Sequence, residues 1–118
     1  MKPRLTGLAR VIAAGGNSWR GLRGCWSNEA AFRQEVVLAV PLLVVATLLQ
    51  LNGVERALMM ASVLLVLIVE LLNSGIEAAI DRIGPEHHAL SGLAKDVASA
   101  AVAISLLLVT VVWACILL

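Results

Sequence analysis

Charge is scarce in this chain: of 118 residues only 14% are Asp, Glu, Lys or Arg, against 60% hydrophobic, and the mean hydropathy is +0.94. That balance excludes an ordinary soluble domain of this length and points to an integral membrane protein. Cysteine is scarce too. Cys25 precedes the first long apolar run and Cys115 closes the last, so in a three-span chain they face opposite sides of the membrane and no disulfide is expected. There is no G-x-x-x-x-G-K-[ST] run and no G-x-G-x-x-G fingerprint, which excludes a standard phosphate loop as the holder of any nucleotide. No secretory leader is expected in the first residues, because Arg10 interrupts the short apolar stretch Leu5–Ala14 and no small-residue cleavage site follows, and the amino terminus is expected to be mature protein. No internal repeat or low-complexity tract is present.

The few charges that exist are sorted. Lys2, Arg4, Arg10, Arg20, Arg23 and Arg33 all lie within residues 1–34, opposed there by Glu29 alone, a bias that predicts a cytoplasmic amino terminus. Within residues 1–34, Leu8, Val11, Ile12, Trp19, Leu22 and Trp26 recur near helical spacing, which predicts an amphipathic helix on the membrane surface, broken in two at Gly15–Gly16. Anchoring to anionic lipid explains that helix as well as a role in gating substrate.

Three transmembrane helices are predicted at 35–52, 56–83 and 95–118, giving an all-α membrane protein of one domain. The first has an apolar run, Val36–Leu51, of only 16 residues against the ~20 that usually span a bilayer. Asn52–Gly53 makes the tight turn into the second, with Glu55 and Arg56 opening it, and Gly84–Pro85 stops it. Three such spans cannot enclose a cavity alone, so polar groups within them are expected to meet neighbouring copies.

The second predicted span carries V-E-L-L-N-S-G-I-E-A-A-I-D-R from Val69 to Arg82. At about 100° per residue, Glu70, Asn73, Ser74, Glu77 and Asp81 fall within an arc of roughly 100°. A carboxylate in hydrocarbon is costly, so this stripe must turn toward protein, water or a bound cation. Glu77, about one turn from the end, suits a hard divalent cation, whereas Glu70 lies deeper, where desolvation suits proton transfer. The bland alternative is an interhelical hydrogen bond or a pair with Arg or Lys. Lys95 and Asp96, opening the third span, suit a phosphate and a cap or ligand-orienting carboxylate. Ser99 reads first as a packing residue. His87–His88 has no third His or Cys beside it, which argues against zinc.

Taken together, E-A-A-F-R-Q-E at 29–35, E-L-L-N-S-G-I-E-A-A-I-D at 70–81 and A-K-D-V-A-S-A-A-V at 94–102 closely resemble the small prokaryotic diacylglycerol kinases. The resemblance implies a homotrimer in the bacterial inner membrane, with active sites shared between subunits, that moves the γ-phosphate of ATP to the hydroxyl of diacylglycerol. Carried over by position, Glu70 is the catalytic base with Asn73 beside it, and Glu29 and Glu77 hold Mg2+. Arg10, Asn17, Glu29, Glu77, Glu86, His87, His88, Lys95 and Asp96 match ATP-contacting positions. Arg10, Ala31, Phe32, Arg33, Gln34, Glu35, Glu70, Ser99 and Trp113 match lipid-contacting ones. Asn17 and His87 replace expected aromatics, and Gly75 an Ala, departures that bear on nucleotide stacking. No nucleic-acid partner is implied. Phosphoryl transfer asks a protein for charge neutralisation, in-line positioning and a proton acceptor, and these residues supply each. The rival readings are an undecaprenol kinase of the same architecture, a small proton-coupled exporter using Glu70, and a purely structural subunit.

Overall fold

The computed structural model describes residues 6–84 and 88–118. They form four helices: α1 (Gly7–Asn28), α2 (Ala30–Leu48), α3 (Gly53–Ile83) and α4 (Ala89–Leu117). The last three are long and apolar enough to cross a membrane. No strand occurs among the described residues.

α1 runs unbroken through Gly15–Gly16, against the expected break. Each glycine costs about 1 kcal/mol relative to alanine in a helix interior, and that is too little to interrupt 22 residues whose turns continue on both sides. Ser18 Oγ donates to the Ala14 carbonyl at 3.0 Å across the glycine pair. Asn17 accepts a side-chain hydrogen bond from Arg20.

A single extended residue, Glu29 (φ −117°, ψ 107°), ends α1 and begins α2. Arg33 secures this corner by donating through Nη1 to the Trp26 carbonyl at 2.7 Å and the Ser27 carbonyl at 3.2 Å, carbonyls at the end of α1 that lack helical partners. α2 therefore starts at Ala30, before the expected first span, and continues past Pro41 to Leu48. Its 19 residues rise about 28 Å, close to the ~30 Å of a bilayer core.

The hairpin between α2 and α3 follows the expected turn and is braced from both sides. Asn52 Oδ1 accepts from the Glu55 N–H at 2.8 Å while Glu55 Oε1 accepts from the Asn52 N–H at 3.1 Å, a reciprocal capping box. The Arg56 guanidinium donates to four carbonyls at the end of α2, those of Ala46, Thr47, Leu49 and Leu51, at 2.7–3.3 Å.

α3 is the central helix, with α4 packed along it most extensively, α2 less so, and α1 only locally. Buried positions recur at Phe32, Ala39 and Ala46 on α2, at Met59, Ser62, Val63, Val66 and Glu70 on α3, and at Ala98 and Ser105 on α4. Those spacings of 3, 4 and 7 make one stripe per helix, and the small residues let backbones approach. The buried hydroxyls of Ser62 and Ser105 donate to carbonyls of their own helices, Met59 at 2.8 Å and Val102 at 2.7 Å. Gly84 (φ 151°) ends α3 in a backbone conformation that favours glycine, and His88 Nδ1 caps α4 by accepting from the Leu90 N–H at 3.0 Å. α4 thus begins six residues ahead of Lys95, because His88 rather than the charged pair starts it.

Candidate active site

The acidic stripe of α3 turns inward where the α1–α2 corner meets it. Glu70 is 3% exposed within the single chain. Glu70 is influenced electrostatically by Glu29 at the corner, Glu35 on α2 and Glu77 two turns further along the same face of α3. Asn73, one turn from each of Glu70 and Glu77, donates through Nδ2 to Glu77 Oε1 at 3.4 Å. Its Oδ1 is buried without a partner, as is Oε2 of Glu35. Buried polar atoms without a partner are uncommon in a folded chain, and these two lie close to Glu70 along the same stripe or across from it.

Glu29 owes its position to the corner. Its backbone N–H donates to the Cys25 carbonyl at 2.9 Å, while its side chain caps neither helix. The carboxylate is left for another use at the amino end of α2, where the helix dipole favours negative charge. Beside it a cleft of about 580 Å³ opens between α1 and α3, lined by Ser18, Cys25, Asn28, Glu29, Ser74 and Gly75 among others. Cys25 Sγ donates to Ser74 Oγ at 3.4 Å across this cleft. Burial pushes the Cys25 thiol up from its ordinary value, the Ser74 hydrogen bond acts the other way, and Glu29, Glu70 and Glu35 add to the rise, so the sulfur is a neutral donor.

The remaining expected residues are distributed around this centre. Lys95 Nζ pairs with Asp81 Oδ1 at 2.8 Å, tying α4 to the end of α3. Asp96 and Ser99 are exposed on α4, and Arg10 and Asn17 on α1. Arg10 lies 19 residues ahead of Glu29, about 28 Å by helical rise. Ala31 and Gln34 are exposed, Arg33 is spent on the corner, and Phe32, 4% exposed, borders an apolar cleft of about 540 Å³ with Trp19, Trp26 and Val36. Trp113 donates from Nε1 to the Met59 carbonyl at 3.2 Å, 11 residues before Glu70 on α3 and so about 16 Å away along it. The structure does not bring Trp113 or Arg10 to the carboxylates. Glu86 and His87 lie outside the described residues, and His88 serves α4 as its cap.

Three features escape a reading of the sequence: the Cys25–Ser74 contact, the pairing of Asp81 with Lys95, and the Arg56 clasp. Asp81 and Lys95 alone left a signal, as opposite charges on either side of one helix–helix loop.

Among the described residues no three or more His, Cys, Asp or Glu side chains gather as a metal cage. The carboxylates that the resemblance implies for Mg2+ are two, Glu29 and Glu77. Mg2+ typically takes one or two protein carboxylates together with substrate phosphates and water, so the pair fits an ion that arrives with a nucleotide.

Membrane-length helices around a buried acidic site define a helical, multi-pass membrane protein with polar chemistry at one end of its central helix. Residues 16–117 match the family model described as prokaryotic diacylglycerol kinase, and the chain belongs to that family. It is 52% identical over 118 residues to the diacylglycerol kinase of Escherichia coli (strain K12), covering 100% of this chain and 96% of that protein. The Pseudomonas aeruginosa diacylglycerol kinase is 54% identical over 113 residues (96% and 92%), and that of Haemophilus influenzae 46% identical over 110 (93% of each).

Proposed function

We propose that this protein is a diacylglycerol kinase, transferring the γ-phosphoryl group of ATP to the free hydroxyl of diacylglycerol to give phosphatidic acid and ADP. The observation that carries the reading is Glu70, a carboxylate held at 3% exposure within a membrane-length helix, with Glu29 and Glu77 in its field and buried unpaired acceptors on Asn73 and Glu35 beside it. Such an arrangement is too costly to keep for packing alone.

In the proposed reaction the lipid hydroxyl oxygen attacks the γ-phosphorus, the bond to the bridging oxygen of ADP breaks, and the hydroxyl proton passes to Glu70. Asn73 orients the Glu77 carboxylate through its side-chain amide. Glu29 and Glu77 would hold Mg2+, which when bound would neutralise charge on the phosphates. Lys95, released from Asp81, offers a point charge to phosphate, and Arg10, Asn17, Glu86, His87, His88 and Asp96 complete the nucleotide contacts. On the lipid side, residues 31–35, Ser99 and Trp113 contact the substrate. The acyl chains stay among apolar side chains while the hydroxyl reaches Glu70, which accounts for a carboxylate placed at the edge of hydrocarbon.

In this reading the protein is a homotrimer of the bacterial inner membrane with sites shared between subunits. α1 lies on the cytoplasmic surface, its exposed Leu8, Val11, Ile12 and Trp19 in the lipid and its arginines toward the headgroups. Purified protein supplied with radiolabelled ATP and, in parallel, diacylglycerol or undecaprenol should label diacylglycerol. Label in undecaprenol alone would move the assignment to the polyprenol, and no label in either lipid would remove the kinase reading.

A further inference from the structure

Of the residues in α1, Cys25 alone is buried, and its bond to Ser74 is the one side-chain hydrogen bond joining α1 to α3 among the described residues. The rest of the cleft is open. At Gly21, Gly24 and Gly75, which line it, an added Cβ would meet nothing within 4 Å, so the helices stand apart there and close packing does not set their separation. A bonded path crosses the gap from Ser74 Oγ to Cys25 Sγ, and from the Cys25 carbonyl to the Glu29 N–H. Ser74 sits one turn after Glu70 and three residues before Glu77, while Glu29 sits one turn after Cys25.

We infer that Cys25 and Ser74 are positioning residues: their contact sets the spacing of α1 from α3 and so how far the Glu29 carboxylate stands from the acidic stripe that carries Glu70 and Glu77. Neither residue touches the reacting atoms. This inference rests on the metal assignment proposed above. A sulfhydryl is a weak donor, so the contact tunes the distance between two carboxylates rather than holding the fold together.

The test uses the full-length protein with Cys115, which is exposed, replaced by Ala. Cys25→Val and Ser74→Ala should each raise the half-saturating Mg2+ concentration about two- to fivefold, the effect of losing one modest hydrogen bond, with kcat nearly unchanged. The double variant should be no worse than either single one, since both remove the same contact, and Cys25→Ser should restore much of the parent value. Mn2+ titrated with a non-hydrolysable ATP analogue and followed by electron paramagnetic resonance should report the same weakening without turnover. Ser74→Ala should also speed alkylation of Cys25 by N-ethylmaleimide severalfold, because α1 lifts from α3 more often. Unchanged metal half-saturation and Mn2+ affinity in both single variants, or effects that multiply in the double variant, would overturn the inference while leaving an active kinase. A parent protein that needs no divalent cation would instead overturn the metal assignment itself.

Discussion

Glu29, Glu70 and Glu77 carry the same functional group in three settings. Glu70 is buried; Glu77 is half-buried and bonded to Asn73; Glu29 stands at a corner with its side chain capping neither helix. Replacing Glu29 or Glu77 with Gln should raise the Mg2+ requirement at least about tenfold, since a neutral amide is a poor ligand for a hard cation. An activity titration against Mg2+ checks this, and an unaltered requirement in both variants would count against the metal role. The stripe from Glu70 to Asp81 was legible in the sequence, because helical geometry alone puts those residues on one face. Cys25 and Ser74 were not paired by any such rule: they are 49 positions apart, and no periodicity links separate helices.

Among the elements, two ion-based clasps hold helix ends in place. The Arg56 guanidinium gathers four carbonyls where α2 ends, groups that a helix terminus leaves without partners. Arg56→Met keeps the aliphatic stem and removes those bonds, and is expected to cost about 1–3 kcal/mol, read as earlier unfolding in detergent by circular dichroism; an unchanged midpoint would show the clasp to be idle. At the other end Asp81 pairs with Lys95, and in the proposed reaction it would compete with the incoming phosphate for that charge. Both side chains are well exposed, at 43% for Lys95 and 68% for Asp81, and such pairs contribute about 1 kcal/mol or less. Asp81→Asn should therefore lower half-saturating ATP only modestly, about two- to fivefold, and a rise would mean that Asp81 orients Lys95 instead of restraining it. Helix identities followed from apolar runs and turn residues, whereas boundaries did not. α2 begins at Ala30 because Arg33 anchors the corner through backbone carbonyls, and α1 stays whole because two glycines weaken a helix less than its length sustains it.

At the scale of the molecule, the chain spends its apolar surface outward. α4 buries only Ala98 and Ser105, leaving Val97, Ile104, Leu107 and Val111 exposed, a surface suited to lipid and to further copies of the chain. Its polar chemistry is concentrated where α1, α2 and the second half of α3 converge. Membrane class and the acidic centre could be read from composition and spacing; the way a one-residue corner brings Glu29 to that centre could not, since it depends on the extended backbone at one position.

The central claim is that Glu70 accepts a proton from a lipid hydroxyl, and it is tested most directly by comparing purified wild-type protein with Glu70→Gln for labelling of diacylglycerol from radiolabelled ATP, with nucleotide binding measured on the same samples. The account predicts a loss of about 10²-fold or more in lipid labelling with ATP bound as before. Labelling at the wild-type rate, or a loss of labelling matched by a loss of nucleotide binding, would contradict it.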